Sequence, residues 1–182
     1  MDTDLVVKAQ HGDKGAFAEL AAGIADQYLA VARRILRDLS LAEDATQQAL
    51  LSIWQKLPQL REPERFEAWS YRILVNACYT EGRNHRRWAP NLRVLPPNEP
   101  VAADDFRSVI DRDQLESGFR SLSMDHRTVV VLRHYLDLPI EQVAEILGIP
   151  AGTANSRLHY AMRGMRAALD AETRSVSREA AQ

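Results

Sequence analysis

The sequence predicts an all-α protein with two small helical domains, the second of which carries a helix-turn-helix. Three observations support this prediction. Apolar residues recur every three or four positions along several segments, no segment alternates with the period of two typical of a strand, and a proline-rich stretch separates two helical groups. We therefore expect a domain at 1–88, a flexible linker at 89–112, a second domain at 113–170 and a frayed tail at 171–182.

Composition narrows the class of protein. The 182 residues are 46% hydrophobic and 26% charged, which is enough for one ordinary core or two small ones. A formal net charge of −2 argues against a surface that binds nucleic acid everywhere. Cys78 is the single cysteine, so an internal disulfide and a thiolate zinc site are excluded. Without a signal-like segment or an apolar run near 20 residues, we expect a cytoplasmic protein that does not insert into membranes.

Three amphipathic helices are predicted in the first domain. The first carries an apolar stripe from Phe17 to Ile35. In the second, Ser40 is predicted to be the N-cap, with Glu43 at capping-box spacing, and Pro58 ends the helix. Its apolar stripe comprises Leu50, Ile53, Trp54 and Leu57. The third helix runs from Glu64 to about Arg86.

Two polar faces of these helices are candidate binding surfaces. Winding the third helix at about 100° per residue places arginines and a tyrosine on one exposed side, with Asn76 at its edge. These residues are Arg72, Tyr79, Arg83 and Arg86, and Arg87 and Trp88 follow them. Arginine interleaved with aromatics suits unstacked single-stranded bases. On the second helix, Asp44, Gln48, Leu51 and Gln55 lie opposite the apolar stripe, an arrangement that suits a protein interface.

The second domain ends in a predicted helix-turn-helix. Helices are expected at Leu115–Leu122, Met124–Leu136 and Ile140–Leu147, the last ending at Gly148, and another begins at Pro150. That final helix has no acidic residue between Thr153 and Arg166. Its apolar side comprises Ala154, Leu158, Ala161 and Met165, and its outward side comprises Ser156, His159, Tyr160 and Arg163. Together with Arg157 and Arg166, the outward side suits phosphates and base edges in a major groove.

Three motifs resemble one known family. They are AEDATQQALLSIWQKL, FEAWSYRILVNACYTEGRNHRR and LGIPAGTANSRLHYAMRGMRAAL, in that order. Together they resemble the extracytoplasmic-function sigma factors of bacterial RNA polymerase, with region 2 at about 17–88 and region 4 at about 115–169. The resemblance implies a transcription initiation factor that gives core polymerase its promoter specificity and promotes DNA melting, without being an enzyme.

The resemblance also implies roles for individual residues. The helix carrying Asp44, Gln47, Gln48 and Leu51 would dock on the clamp of the polymerase β′ subunit. The loop from Leu60 to Arg65, with Asn76, would receive a base flipped from the melted minus-10 strand. The remaining minus-10 contacts would come from Arg72, Tyr79, Arg83, Arg86 and Arg87. The minus-35 contacts would come from Thr153, Asn155, Ser156, Arg157, His159, Tyr160 and Arg163.

Further partners follow from the same resemblance. Region 4 would also touch the β flap, and the acidic linker would approach the RNA exit path. An anti-sigma factor, which clamps many family members, remains an open expectation because no residue identifies one. No cofactor, metal ligand or catalytic residue is expected, since His11, His85, His126, His134 and His159 form no recognisable metal-ligand or nucleophile motif.

The sequence departs from the family pattern at several positions. Tyr160 and Met162 stand where the recognition helix usually carries arginines, so we expect a shifted or relaxed upstream base preference. Ser70 replaces an apolar residue, and Cys78 with Tyr79 replaces a small and aliphatic pair. The alternative hypothesis is a stand-alone helix-turn-helix regulator that never joins polymerase, but it leaves both polar faces of the first domain unexplained.

Overall fold

The computed structural model describes residues 2–88 and 118–179, and the chain divides into two compact units. All regular secondary structure in these two stretches is helical, which confirms the predicted fold class. The first stretch contains α1 (Thr3–Gln10), α2 (Lys14–Leu36), α3 (Leu39–Lys56) and α4 (Phe66–Trp88). Two 3₁₀ turns, Leu57–Gln59 and Pro63–Arg65, connect α3 to α4.

The second stretch opens with helical residues at 118–120 and contains three further helices whose two ends are both described. They are α5 (Met124–Val130), α6 (Ile140–Leu147) and α7 (Ala151–Glu179). A turn of π-helix, Val131–Tyr135, continues α5. The predicted linker at 89–112 and the predicted helix start at Leu115 lie outside the described residues. Across the described ranges, no helix is both long enough and apolar enough to cross a bilayer.

The core of the first unit contains the stripe predicted for α2. Leu20, Ile24, Tyr28, Val31 and Ile35 are all buried. Phe17 is half-buried, with its ring 4.7 Å from the ring of Trp54 on α3. The inner face of α3 is mostly small: Ala42, Ala45 and Ala49 are fully buried beside Ile53. Small side chains let α3 pack closely against both α2 and α4.

The start of α3 differs from the prediction. Asp38, rather than Ser40, is the N-cap, and its carboxylate accepts a hydrogen bond from the Leu41 N–H at 2.9 Å. Arg37 immediately before it adopts a left-handed conformation with φ of 60°. The prediction was wrong because a tight two-residue connection starts the helix earlier, which leaves Ser40 within its first turn.

Helix α1 was not predicted. It spans only eight residues, which is too short for apolar periodicity to stand out from its surroundings. Asp2 caps its start, and Val6 and Ala9 are buried. The helix packs against α2 and against both 3₁₀ turns that precede α4.

Two unusual residues of α4 have structural explanations. Ser70 is completely buried, where it accepts a 2.5 Å hydrogen bond from the Tyr28 hydroxyl and donates one to the Glu67 carbonyl at 3.0 Å. Burial raises the pKa of Tyr28 above its ordinary value, so its hydroxyl keeps its proton and acts as the donor. Cys78 is likewise buried, and burial raises the pKa of its thiol to about 12.

The Tyr28–Ser70 pair leads to a stability prediction. Ser70→Ala should lower the free energy of unfolding by about 1–3 kcal/mol, because the buried Tyr28 hydroxyl loses its acceptor. Adding Tyr28→Phe to that variant should recover part of the loss, since no polar group then stays unpaired. Urea denaturation followed by tryptophan fluorescence measures this in the first unit, because Trp54, Trp69 and Trp88 all lie there. Additive effects of the two substitutions would contradict a coupled pair.

The helix-turn-helix in the second described stretch has the predicted turn. Gly148 follows α6 with φ of +64°, a conformation that favours glycine. Its N–H donates to the Glu145 carbonyl at 3.1 Å, and the Ile149 N–H donates to the Ala144 carbonyl at 3.0 Å. This pair of bonds is the Schellman motif, which ends α6 and turns the chain toward α7.

Two other expectations for the second unit need correction. The predicted helix Met124–Leu136 changes to π geometry at Val131, where the Leu136 N–H donates to the carbonyl five residues earlier. The segment predicted as a frayed tail is helical in its backbone as far as Glu179. The helix can continue because residues 165–179 contain neither glycine nor proline and are rich in alanine, arginine and glutamate.

Candidate nucleic-acid interfaces

Helix α4 presents the arginine-rich face that the sequence predicts. Arg72, Asn76, Arg83 and Arg87 are exposed, and their spacing places them within an arc of roughly 60°. Arg86 is exposed beside them, and its Nε donates to the Gly82 carbonyl at 3.2 Å. Tyr79 is half-buried on the same side of the helix. We call these six residues the α4 face.

The loop before α4 lies close to this helix in sequence and is shaped by the two 3₁₀ turns. Leu60 follows the first turn with extended backbone and is half-buried. Arg61 and Glu62 are exposed, and the Arg65 N–H closes the second turn by donating to the Glu62 carbonyl at 3.0 Å. The Arg65 guanidinium lies 3.7 Å from the Glu62 carboxylate. The open part of the loop is therefore very short.

Helix α3 carries the second polar surface, which we call the α3 face. Its residues are Asp44, Gln47, Gln48 and Leu51, and all four are exposed. Leu51 is 57% exposed, one of three large hydrophobic side chains with such exposure in the described residues. The opposite side of α3 is buried in the core, so this face is free to contact a protein partner.

Helix α7 orients the third surface. Ala154, Ala161 and Met165 are buried and Leu158 is half-buried, which confirms the predicted inner stripe. Of these, Leu158, Ala161 and Met165 pack with Leu122 and Val130 in one cluster. The outer side, which we call the α7 face, exposes Asn155, Ser156, His159, Tyr160 and Arg163. Thr153 is half-buried at its start.

Aromatic side chains dominate the middle of the α7 face. Tyr160 is 58% exposed, and the His159 ring meets it edge-on with 5.8 Å between ring centroids. The middle of this surface therefore presents the hydroxyl and the ring of an exposed tyrosine. Met162 is half-buried and joins the core cluster, so it is not part of the exposed face.

Arg157 differs from the other residues predicted to contact DNA. Its guanidinium lies 3.1 Å from the Asp125 carboxylate at the start of α5, and its side chain is only 30% exposed. The ion pair ties α7 to α5 and orients the arginine along the surface of the unit. Asp125 was missed by sequence analysis because a partner 32 positions away leaves no local pattern.

In residues 2–88 and 118–179, no group of three or more His, Cys, Asp or Glu side chains could hold a metal ion. The burial that raises the Cys78 pKa also removes the one thiol as a nucleophile.

Comparison with known families shows that the two helical units are those of a sigma-70-type transcription initiation factor. Residues 23–88 match the family Sigma-70 region 2, and residues 118–167 match Sigma-70, region 4. The ECF RNA polymerase sigma factor SigL of Mycobacterium tuberculosis is 31% identical over 165 residues, covering 87% of this chain and 93% of SigL. The chain belongs to the extracytoplasmic-function family of RNA polymerase sigma factors.

Other comparisons agree with this assignment. The RNA polymerase sigma-H factor of Pseudomonas aeruginosa is 30% identical over 199 aligned residues, covering 98% of this chain and 97% of that protein. Among solved structures, CnrH in complex with the cytosolic domain of CnrY has the same fold, with a TM-score of 0.68 and 23% identity over 93% of this chain and 97% of that one. Sigma factor RpoE of Bartonella quintana, in complex with the anti-sigma factor NepR, gives a TM-score of 0.71 and 22% identity, covering 85% and 96%.

Proposed function

We propose that this sigma factor docks on core RNA polymerase through the α3 face, captures minus-10 bases with the α4 face and its preceding loop, and reads the minus-35 element with the α7 face. The α4 face is the observation that carries the proposal. It concentrates exposed cationic groups and an amide on one helix of a chain whose net charge is −2. A surface that binds nucleic acid specifically requires positive charge concentrated in one place. It does not require positive charge over the whole protein.

The minus-10 role follows from the chemistry of the α4 face. Guanidinium groups bind phosphates along the strand, while the Asn76 amide can both donate to and accept from the edge of an unpaired base. Flipping a base costs a few kcal/mol, which the loop and the helix must offset with hydrogen bonds and packing. Promoter melting in this proposal is driven by binding energy alone, so no catalytic residue is needed.

The minus-35 role is supported by the helix-turn-helix and by the exposed α7 face. The Asn155 amide, near the start of the helix, has the donor and acceptor pattern that suits adenine in a major groove. In this proposal the exposed Arg163 guanidinium, about two turns further along, binds a phosphate. Tyr160 should alter the base preference relative to a family member with arginine there.

Arg163→Ala is expected to weaken binding to duplex minus-35 DNA and to reduce the slope of log affinity against log salt concentration by about one, because one phosphate contact is lost. Fluorescence anisotropy at several salt concentrations measures both quantities. Arg133→Ala is the matched control, since it removes an equal charge from the same unit where Arg133 pairs with Asp137 at 3.0 Å. An unchanged slope for Arg163→Ala would place this arginine outside the interface.

We also propose that an anti-sigma factor regulates the chain in the cytoplasm, where polymerase and chromosome are found. Two solved proteins of the same fold support this because each was determined in complex with a second protein, which is the anti-sigma factor NepR in one case and the cytosolic domain of CnrY in the other. Such a partner would compete for the exposed α3 and α7 faces. Co-purification of the chain from its native cells, followed by displacement with core polymerase, tests this.

In vitro transcription tests the function as a whole. Purified core polymerase and the full chain are incubated with a pool of promoter fragments, and the transcripts are sequenced. We expect new start sites with common sequences at minus-10 and minus-35, which also reveal the bases that Tyr160 favours. Duplex binding without any new transcript would instead favour a stand-alone regulator.

A further inference from the structure

Gln10, at the end of α1, makes two hydrogen bonds that join distant parts of the first unit. Its side-chain Nε2 donates to the Leu60 carbonyl at 2.7 Å and to the Leu57 carbonyl at 3.3 Å. These carbonyls lie 50 and 47 positions further along the chain. The Gln10 side chain is half-buried, which shields both bonds from competing water.

The two acceptors lie where the chain leaves the first 3₁₀ turn. The Leu57 carbonyl also accepts from the Leu60 N–H at 3.1 Å, so it closes the turn and binds Gln10 at the same time. At Leu60 the backbone becomes extended, with φ of −69° and ψ of 115°. Leu60 therefore sets the direction in which the loop leaves the turn, and its carbonyl also forms the shorter of the two bonds to Gln10.

Helix α1 gives Gln10 a rigid base. Val6, one helical turn before it, is 1% exposed, and Ala9 is 2% exposed. Asp2 caps the helix at its start, and the Asp13 side chain caps the following helix α2. Because both ends of α1 are fixed, the amide of Gln10 is held in position before the loop forms any contact with DNA.

The loop is thereby fixed at both ends. Gln10 holds Leu60, and the turn from Glu62 to Arg65 holds the other end through its own backbone bond at 3.0 Å. Only Arg61, which is exposed, lies between Leu60 and the start of that turn at Glu62. A loop with so few free residues can keep one shape, and a pocket of fixed shape discriminates between bases better than a mobile one.

We propose that Gln10 is a positioning residue that fixes the loop after α3 in the shape that receives the unpaired minus-10 base. This rests on the base-capture role proposed above for Leu60 and Asn76. Gln10 touches no DNA itself, and it lies outside the region 2 match, which begins at residue 23. Helix α1 would thus contribute to promoter selectivity without forming part of the DNA-binding surface.

The test compares Gln10→Met with Gln27→Met in the full chain bound to core polymerase. Gln10→Met removes the donors at nearly constant side-chain length and adds no charge. Gln27→Met is the matched control, because Gln27 is exposed on α2 of the same unit. The probes are single-stranded oligonucleotides with the minus-10 sequence recovered from the promoter pool, carrying each of the four bases at the captured position.

We expect wild type and Gln27→Met to bind the best base about tenfold more tightly than the worst. Gln10→Met should reduce that ratio about fivefold, while affinity for duplex minus-35 DNA stays the same. A role in stability alone would lower the amount of folded protein without changing the ratio. If Gln10→Met does not fold, Gln10→Asn replaces it, since this shorter amide keeps the polarity but cannot reach both carbonyls.

Hydrogen exchange provides a second readout. The backbone amides of Leu60, Arg61 and Glu62 should exchange faster in Gln10→Met than in wild type, and those of α2 should not. If wild type discriminates between the bases and Gln10→Met keeps the same ratio of affinities for the best and worst base, this inference is overturned and base capture stays intact. A wild type that binds all four bases equally overturns base capture itself, and the positioning role with it.

Discussion

Asn76→Ala is expected to reduce open-complex formation on a duplex promoter by about tenfold or more. The amide is exposed in the middle of the α4 face. Losing its hydrogen bonds to a base edge should cost roughly 1–3 kcal/mol, and about 1.4 kcal/mol corresponds to a tenfold change in an equilibrium constant. Permanganate reactivity of unpaired thymines in the minus-10 region measures opening directly.

Two controls make this result specific. Asn84→Ala removes the same side chain from an exposed position of α4 that lies about 80° around the helix from Asn76, so it should open promoters normally. A template already unpaired across the minus-10 region should be transcribed by Asn76→Ala with a smaller defect than duplex, because the flipping cost is absent. Normal opening by Asn76→Ala would show that the base is captured elsewhere.

The second large effect is expected at Leu51. Leu51→Glu places a charge at the centre of the α3 face, and burying that charge against core polymerase should weaken the complex by about thirtyfold, equivalent to about 2 kcal/mol. The fold should tolerate the change because Leu51 is 57% exposed and glutamate favours helix. Binding of labelled protein to core polymerase measures the affinity.

Gln27→Glu is the control for Leu51→Glu. It adds the same charge to an exposed helical position of the same unit, away from the α3 face, and should bind core polymerase like wild type. Leu51→Ala should have an intermediate effect, since it removes apolar contact without adding charge. Equal affinity of all these variants would remove the α3 face from the polymerase interface.

Sequence periodicity was sufficient to predict most helices and their exposed faces. Apolar and polar residues each recur every three or four positions along these helices, and this spacing is a local property of the sequence. It predicts the buried stripe of α2, the inner stripe of α7 and the exposure of Leu51 and Arg83. The end of α6 at Gly148 was predictable because glycine is the residue type that best suits the left-handed backbone conformation after a helix.

The features that sequence analysis missed depend on contacts between distant residues. Asp125 pairs with Arg157, which lies 32 positions later. Gln10 binds the carbonyl of Leu60, which lies 50 positions later. From the sequence, Ser70 is only a departure from the family pattern. The structure explains it, because its hydrogen-bond partner Tyr28 lies 42 positions earlier in the chain. Helix α1 was missed because eight residues carry too little periodic signal, although its packing against two turns makes it stable.

The burial of Cys78 has a practical consequence for experiments on this protein. Thiol reagents such as maleimides attack the thiolate, and a buried thiol with a pKa of about 12 supplies almost none at neutral pH. The natural chain should therefore give little background labelling while it is folded. A cysteine introduced at an exposed position, such as Gln27 on α2 or Arg166 on α7, would accept a fluorophore selectively, without first removing the native thiol from the core.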